Sequence, residues 1–388
     1  MSGRLLPLCF TLVLFGGASA PPALAQTESP ETRAETLRQE RENKQQRLSP
    51  NEPDRLQRAL DYVEDRALYV LTRDGFYPKI GSLTTGSGVA IGGGYRSRDV
   101  FARRGVAEVW AAGSFKKYWA MQARATFPDL AGDRVFAEAV ANLREYPRES
   151  FFGLGPDARR EDFTQFSLRT REFAAQAGVR LAPALRAGGN LALFSPETTA
   201  SQVDYLRSGG FVEVDYREPL NARRGGWYRL DFSQFDDRDG DTWSYRRADL
   251  DVRQYIGFLA DRRVIALRGF VSTSEPADGS RGVPFYLMPT LGGNDTLRGF
   301  RNYRFRGPHV LLLQAEYRWE LWSGLDAALF YDAGKVALQR SDLDFKRLEK
   351  DYGFGFRFNT AEGVILRVDA AFGSRDGKHL HIVFGGLF

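Results

Sequence analysis

The chain of 388 residues carries 54 Lys and Arg against 49 Asp and Glu, a net charge of +5 spread along its length, with 43% hydrophobic residues and a negative mean hydropathy. That length suits either two ordinary soluble domains or one large barrel. The hydropathy excludes a bundle of membrane helices. The scattered charge argues against a nucleic-acid partner, which needs a basic stripe or patch. A single cysteine, Cys9, leaves nothing from which to build a disulfide or a thiolate metal site.

The one long apolar run, residues 5–15, follows Arg4 and precedes small residues. This is the charged, apolar and small-residue order of a secretory signal, with cleavage expected after Ala25 rather than Ala20. Cys9 lies inside the run, not at its end where a lipoprotein would need it. Residues 26–52 are charged and poor in large apolar side chains, and are expected to form a flexible periplasmic segment. Pro53 then stands near a helix start, and Leu56, Leu60, Val63, Ala67 and Val70 recur at helical spacing. They predict one short amphipathic α-helix over 53–75, either resting on the base of a barrel or inserting into its mouth.

From Phe76 onward the pattern changes to period two. In 311–321, Leu311, Leu313, Ala315, Tyr317, Trp319 and Leu321 take one face, and Leu312, Gln314, Glu316, Arg318 and Glu320 the other. Tyr352, Phe354, Phe356 and Phe358 likewise oppose Gly353, Gly355, Arg357 and Asn359. A soluble sandwich also alternates. Here, however, the polar face carries full charges, the apolar face ends in aromatics, and no helical segment covers either face. Backbone groups in lipid must pair internally, so such strands have to close on themselves. The segments are 76–84, 87–97, 105–115, 118–127, 134–146, 164–181, 185–195, 208–218, 226–236, 242–258, 262–274, 309–321, 325–337, 349–360, 363–373 and 378–388. The fold class is therefore all-β: a transmembrane antiparallel β-barrel of about 16 strands over 76–388, the even number of a bacterial single-chain barrel. Short connections such as 259–261, 322–324 and 361–362 fall on the side of the termini. The long ones, 147–163, 196–207, 275–308 and 338–348, fall on the opposite side. Short periplasmic turns and long external loops have this asymmetry, which puts both termini in the periplasm.

The longest connection, 275–308, contains Leu291-Gly-Gly-Asn-Asp-Thr-Leu-Arg-Gly-Phe300. Loops of that length are usually functional. Arg298 at its centre stays charged and can hold a carboxylate bidentately. The next two strands place Glu316 and Asp332 on the polar face. If the loop folds inward, arginine and carboxylate would pair in a confined lumen; if it does not, Arg298 stands in solvent on an external loop.

These residues resemble a known family. The Leu297-Arg298-Gly299-Phe300 segment is similar to the lumenal-loop motif of the outer-membrane insertase and two-partner-secretion transporter superfamily, the BamA, TamA and FhaC relatives of the bacterial surface antigen family. Phe330-Tyr-Asp-Ala-Gly334 resembles that family's F-x-D-x-G strand segment. Phe152-Gly-Leu-Gly155 and the stretch from Asp215-Tyr-Arg217 to Arg224-Gly225 also look familial, and Phe388 resembles the C-terminal aromatic signal of outer-membrane barrels. The similarity covers 76–388. It implies an inward-folded loop with Arg298, Gly299 and Phe300 held at Asp332 and, less directly, Glu316. It departs at one point: only about fifty residues stand between the expected cleavage site and the first strand, without strand alternation, so a short member lacking POTRA modules is expected.

An enzyme is not expected. The three histidines, His309, His379 and His381, do not assemble a hydrolytic triad in any evident way. His379 and His381, with Asp369 from the preceding strand, fall short of a zinc ligand set and are read as polar residues near the lumenal rim. No metal and no cofactor is expected. The expected function is to move or insert a protein or lipid substrate at or through the outer membrane, with outer-membrane lipid and a periplasmic protein as partners and a homodimer left open. The alternative is a passive or gated pore for small solutes.

Overall fold

The structure is a computed structural model and describes residues 74–388 except 101–104, 218–221, 241, 323, 361–362 and 385–388. The expected signal, the 26–52 segment, the helix before Gly75 and the terminal Phe388 lie outside the described residues.

The apolar and polar alternation becomes strand in every segment where it was found. In chain order the first half comprises β1 (Gly75–Gly81), β2 (Ala90–Val100), β3 (Gly105–Ser114), β4 (Trp119–Leu130), β5 (Val135–Phe151), β6 (Thr164–Ala182), β7 (Leu185–Thr198) and β8 (Tyr205–Asp215). Next come β9 (Gly225–Asp237), β10 (Tyr245–Phe258) and β11 (Arg263–Pro276). Two short strands, β12 (Thr290–Leu291) and β13 (Phe305–Arg306), pair with each other inside the long connection. The wall resumes with β14 (His309–Trp322), β15 (Leu325–Ala337), β16 (Glu349–Thr360), β17 (Gly363–Ser374) and β18 (Gly377–Phe384).

Apart from β12 and β13, each strand pairs antiparallel with its neighbours in chain order, giving one sheet of 16 strands. The sheet curls until β18 comes close to β1, but no ladder joins these two strands among the described residues. The barrel is thus nearly closed and has a seam.

Side chains divide as period two requires. Leu329, Tyr331, Tyr352, Phe354 and Phe356 point outward and are exposed, whereas Asp326, Asp332, Asp351 and Arg357 are buried inside. An apolar exterior around a charged interior is the pattern of a wall bathed in lipid, where each backbone group must find its partner in the adjacent strand.

Strand ends differ from the sequence expectation in two informative places. β1 stops at Gly81 because 82–89 turns away from the wall, the Ser87 hydroxyl accepting from the amides of Leu83 (3.1 Å) and Thr84 (3.3 Å). β5 runs on past Pro147 to Phe151 through a bulge between Tyr146 and Glu149, since a bulge absorbs the ladder bond that proline cannot donate.

Candidate functional site: the lumenal loop and its lock

The connection between β11 and β14 folds into the barrel. Its apolar residues do part of the anchoring. Leu297, Phe300 and Phe305 join Leu291, Val310, Leu312 and Val336 in one fully buried cluster, with the Phe300 and Phe305 rings edge to face at 5.2 Å. Burying a large apolar side chain contributes roughly 1.5–3 kcal/mol each, so Phe300 and Leu297 seat the loop before any charge is considered.

Arg298 is then held on several sides. Its Nε and Nη2 donate to the two oxygens of Asp332 at 2.7 and 2.8 Å, and its backbone amide to the same carboxylate at 3.3 Å. Nη1 donates to Glu316 at 2.9 Å and lies 3.5 Å from Asp369. The guanidinium stands 3.5 Å from the centre of the Phe330 ring, which offers it a π face. The two strand residues flanking Tyr331 therefore supply both the carboxylate and the aromatic floor.

Glu316 is shared. Arg318 Nε donates to it at 2.6 Å, and Arg357 donates at 3.1 and 2.7 Å. Arg357 Nη1 also reaches Asp369 at 2.5 Å. Three arginines, Arg298, Arg318 and Arg357, thus face three carboxylates, Glu316, Asp332 and Asp369, and Arg367 Nε adds a fourth cation 3.3 Å from Asp369. A buried charge is tolerated only when paired and hydrogen-bonded, so opposite charges within reach of each member are a condition for the cluster to exist.

Gly299 has a different task. A Cβ placed on it would lie 2.4 Å from Cβ of Asp351 on β16, so the backbone passes too close to the wall for any other residue. The Ser374 hydroxyl donates to the Gly299 carbonyl. His381 Nε2 lies 2.7 Å from the Arg298 carbonyl oxygen. A carbonyl only accepts, so Nε2 carries the proton there.

The loop tip is gripped as well. Gln314 donates to the Thr296 carbonyl at 2.8 Å and Arg367 to the Asn294 carbonyl at 2.6 Å, while Arg268 reaches the Asp295 carbonyl at 3.2 Å. On the loop's other side, the Arg304 guanidinium lies against Phe152 at 5.1 Å, and the Gly155 amide donates to the Arg306 carbonyl at 2.8 Å. Asp215 and Arg217 pair with each other at the end of β8 nearer the termini, away from the loop.

Of the residues expected from the sequence, Arg298, Gly299, Phe300, Asp332 and Glu316 come together, and Phe388 lies outside the described residues. Arg318, Arg357, Asp369, Gln314, Asp351 and His381 were missed as part of the lock. Alternation had already placed Arg357 and Asp369 on the lumenal face, but only register brings them to Glu316. Asp369 and His381, weighed as metal ligands, stand opposite each other in the β17 and β18 ladder. The first is engaged by Arg357 and the second by the Arg298 carbonyl.

The sequence matches the Omp85 superfamily domain over residues 118–385. Among solved structures, the chain resembles BamA from Haemophilus ducreyi lacking POTRA domains 1–3, with a TM-score of 0.60 and 12% identity over 84% of this chain and 77% of that one. It also resembles CdiB from Escherichia coli, with a TM-score of 0.53 and 14% identity over 79% of this chain, spanning 61% of CdiB. No curated protein sequence matches it. An inward loop held by arginine, a nearly closed barrel of 16 strands and a family match across most of the wall agree: the chain is an outer-membrane β-barrel that belongs to the Omp85 superfamily.

Proposed function

We propose that the protein moves or inserts a polypeptide or lipid substrate at the outer membrane through the seam between β1 and β18. The observation that carries this is the seam itself. Fifteen strand-to-strand ladders hold the wall, and none joins its first and last strands among the described residues. Separating β1 from β18 therefore breaks far fewer hydrogen bonds than opening the wall elsewhere, each worth roughly 0.5–1.5 kcal/mol net. Both termini would face the periplasm after export directed by residues 1–25, and a periplasmic protein would deliver the substrate. No hydrolytic step is part of this proposal.

The test is a panel of cysteine pairs, one member on β1 and one on β18 in a Cys9→Ser background, screened for a pair that oxidises. In a strain lacking the native gene, the locked protein should fail to restore the outer-membrane protein and lipid profile, and a reductant should release the block. Full restoration by the oxidised protein would refute passage through the seam.

The second reading, a pore for small solutes, draws on the polar cavities that remain in the lumen. One of about 390 Å³ is bordered by Arg268, Arg298, Glu316 and Arg367, and another of about 380 Å³ by Arg124, Glu138, Arg207 and Asp249. Steady conductance across a planar bilayer that is unaffected by the seam disulfide would favour it.

A further inference from the structure

The seam has no ladder, yet its two sides are not independent, because the loop touches both. On the β1 side, the turn after the strand meets the loop twice. Thr85 Oγ1 donates to Asn294 Oδ1 at 2.8 Å, and the Thr84 hydroxyl lies 2.5 Å from the Tyr303 hydroxyl. The approach is close: a Cβ on Gly293, whose φ of +103° already excludes most side chains, would lie 2.4 Å from Thr85 Cγ2.

On the β18 side, the contacts are more numerous. His381 reaches the Arg298 carbonyl and Ser374 the Gly299 carbonyl. Asp376, in the turn between β17 and β18, accepts from the Arg301 amide at 3.3 Å and from Arg304 Nε at 3.2 Å. One residue serves both sides. Asn294 accepts from Thr85 with its side chain and from Arg367 of β17 with its carbonyl, at 2.8 and 2.6 Å.

We infer that the 277–308 loop is a staple across the seam: Asn294 and Tyr303 hold the β1 side, Arg298, Gly299, Arg301 and Arg304 hold the β18 side, and the seam opens only when one set of contacts lets go. The β1 set is the weaker. Among the described residues its hydrogen bonds are two exchangeable hydroxyl contacts, with Asn302 packed against Gly86, whereas the other set is backed by the buried ion-pair cluster. The staple should therefore release at Thr84 and Thr85 while Arg298 stays locked. This deepens the proposal of passage through the seam and rests on it for its purpose, but the staple itself is a property of the resting barrel and is measured without any substrate.

The experiment places spin labels at Ile80→Cys and Ile382→Cys, two outward-facing positions on β1 and β18, in the barrel reconstituted in lipid with Cys9→Ser. The distance distribution between them should be narrow. Thr84→Val with Thr85→Val should raise the long-distance population at least about fivefold, the factor that two lost hydrogen bonds carry. The heat resistance conferred by the Arg298 lock should be unchanged, which also confirms that the variant folds. Conversely, Thr85→Cys with Asn294→Cys, oxidised first and read with a label chemistry that does not use thiols at positions 80 and 382, should abolish the long-distance population. An unchanged distribution in both variants overturns the staple. A widened seam whose cells show an unaltered outer-membrane profile, including after seam locking, leaves the staple standing and refutes the transport route.

Discussion

Arg298 and Asp332 meet through three nitrogens of one residue and two oxygens of the other, with Nε and Nη2 at 2.7 and 2.8 Å and the backbone amide at 3.3 Å. Using the backbone as well as the side chain fixes the arginine's main chain against β15. The contact is a structural joint and not merely a charge pairing.

Replacing Arg298 with alanine would leave buried Asp332 without its cation, with Gln314 still donating to it at 3.1 Å, while Glu316 keeps Arg318 and Arg357. Removing one member of a buried pair costs about 3–5 kcal/mol. The temperature at which the folded band converts to the unfolded one on semi-native gels should fall markedly. An unshifted conversion temperature would mean that the loop is not held where the structure has it.

Gly299→Ala tests the same joint without touching charge. The added methyl would overlap Cβ of Asp351, so the loop must shift, at a cost of about 1–3 kcal/mol typical of overpacking. Removing the obstruction with Asp351→Gly should restore part of the loss in the double variant. Equal losses with and without that second change would show that steric contact is not the cause.

Arg357→Lys keeps the charge but gives up the fork that spans Glu316 and Asp369. A lysine cannot hold two carboxylates in that geometry. The expected loss, about 1.5–3 kcal/mol at the level of a charged hydrogen bond, lies between wild type and Arg357→Ala. Urea titration of the barrel in lipid vesicles provides the order, and a lysine variant as stable as wild type would contradict it.

Phe354 points away from the lumen. An arginine there meets lipid and should cost about 2–4 kcal/mol near the middle of the wall. Folding yield into vesicles should drop accordingly, and retention of full yield would indicate that this face does not contact lipid.

Much of this was legible from the chain alone. Alternation such as Tyr352, Phe354 and Phe356 against Gly353, Gly355 and Arg357 located the wall strands and assigned each residue to a face, because a strand's side-chain period is a local property. The long loop and its arginine were equally visible, and a family resemblance joined Arg298 to Asp332. The reach of Arg357 to Glu316, 41 residues away, was not visible. Nor was the contact of Gly299 with Asp351, or the place of His381 beneath the Arg298 carbonyl.

Those contacts depend on how far each strand slides past the next and how the sheet curls, and a one-residue slip would send every side chain to the opposite face. Periodicity, with full charges on one face, aromatics at the ends of the other and no helix to cover either, pointed in the chain alone to a lipid-facing barrel with a charged interior, since strands in a membrane must pair all their backbone groups. Only the tertiary structure decided which charges neutralise which and that one loop touches both sides of the seam, because those facts depend on register and curvature summed over 16 strands.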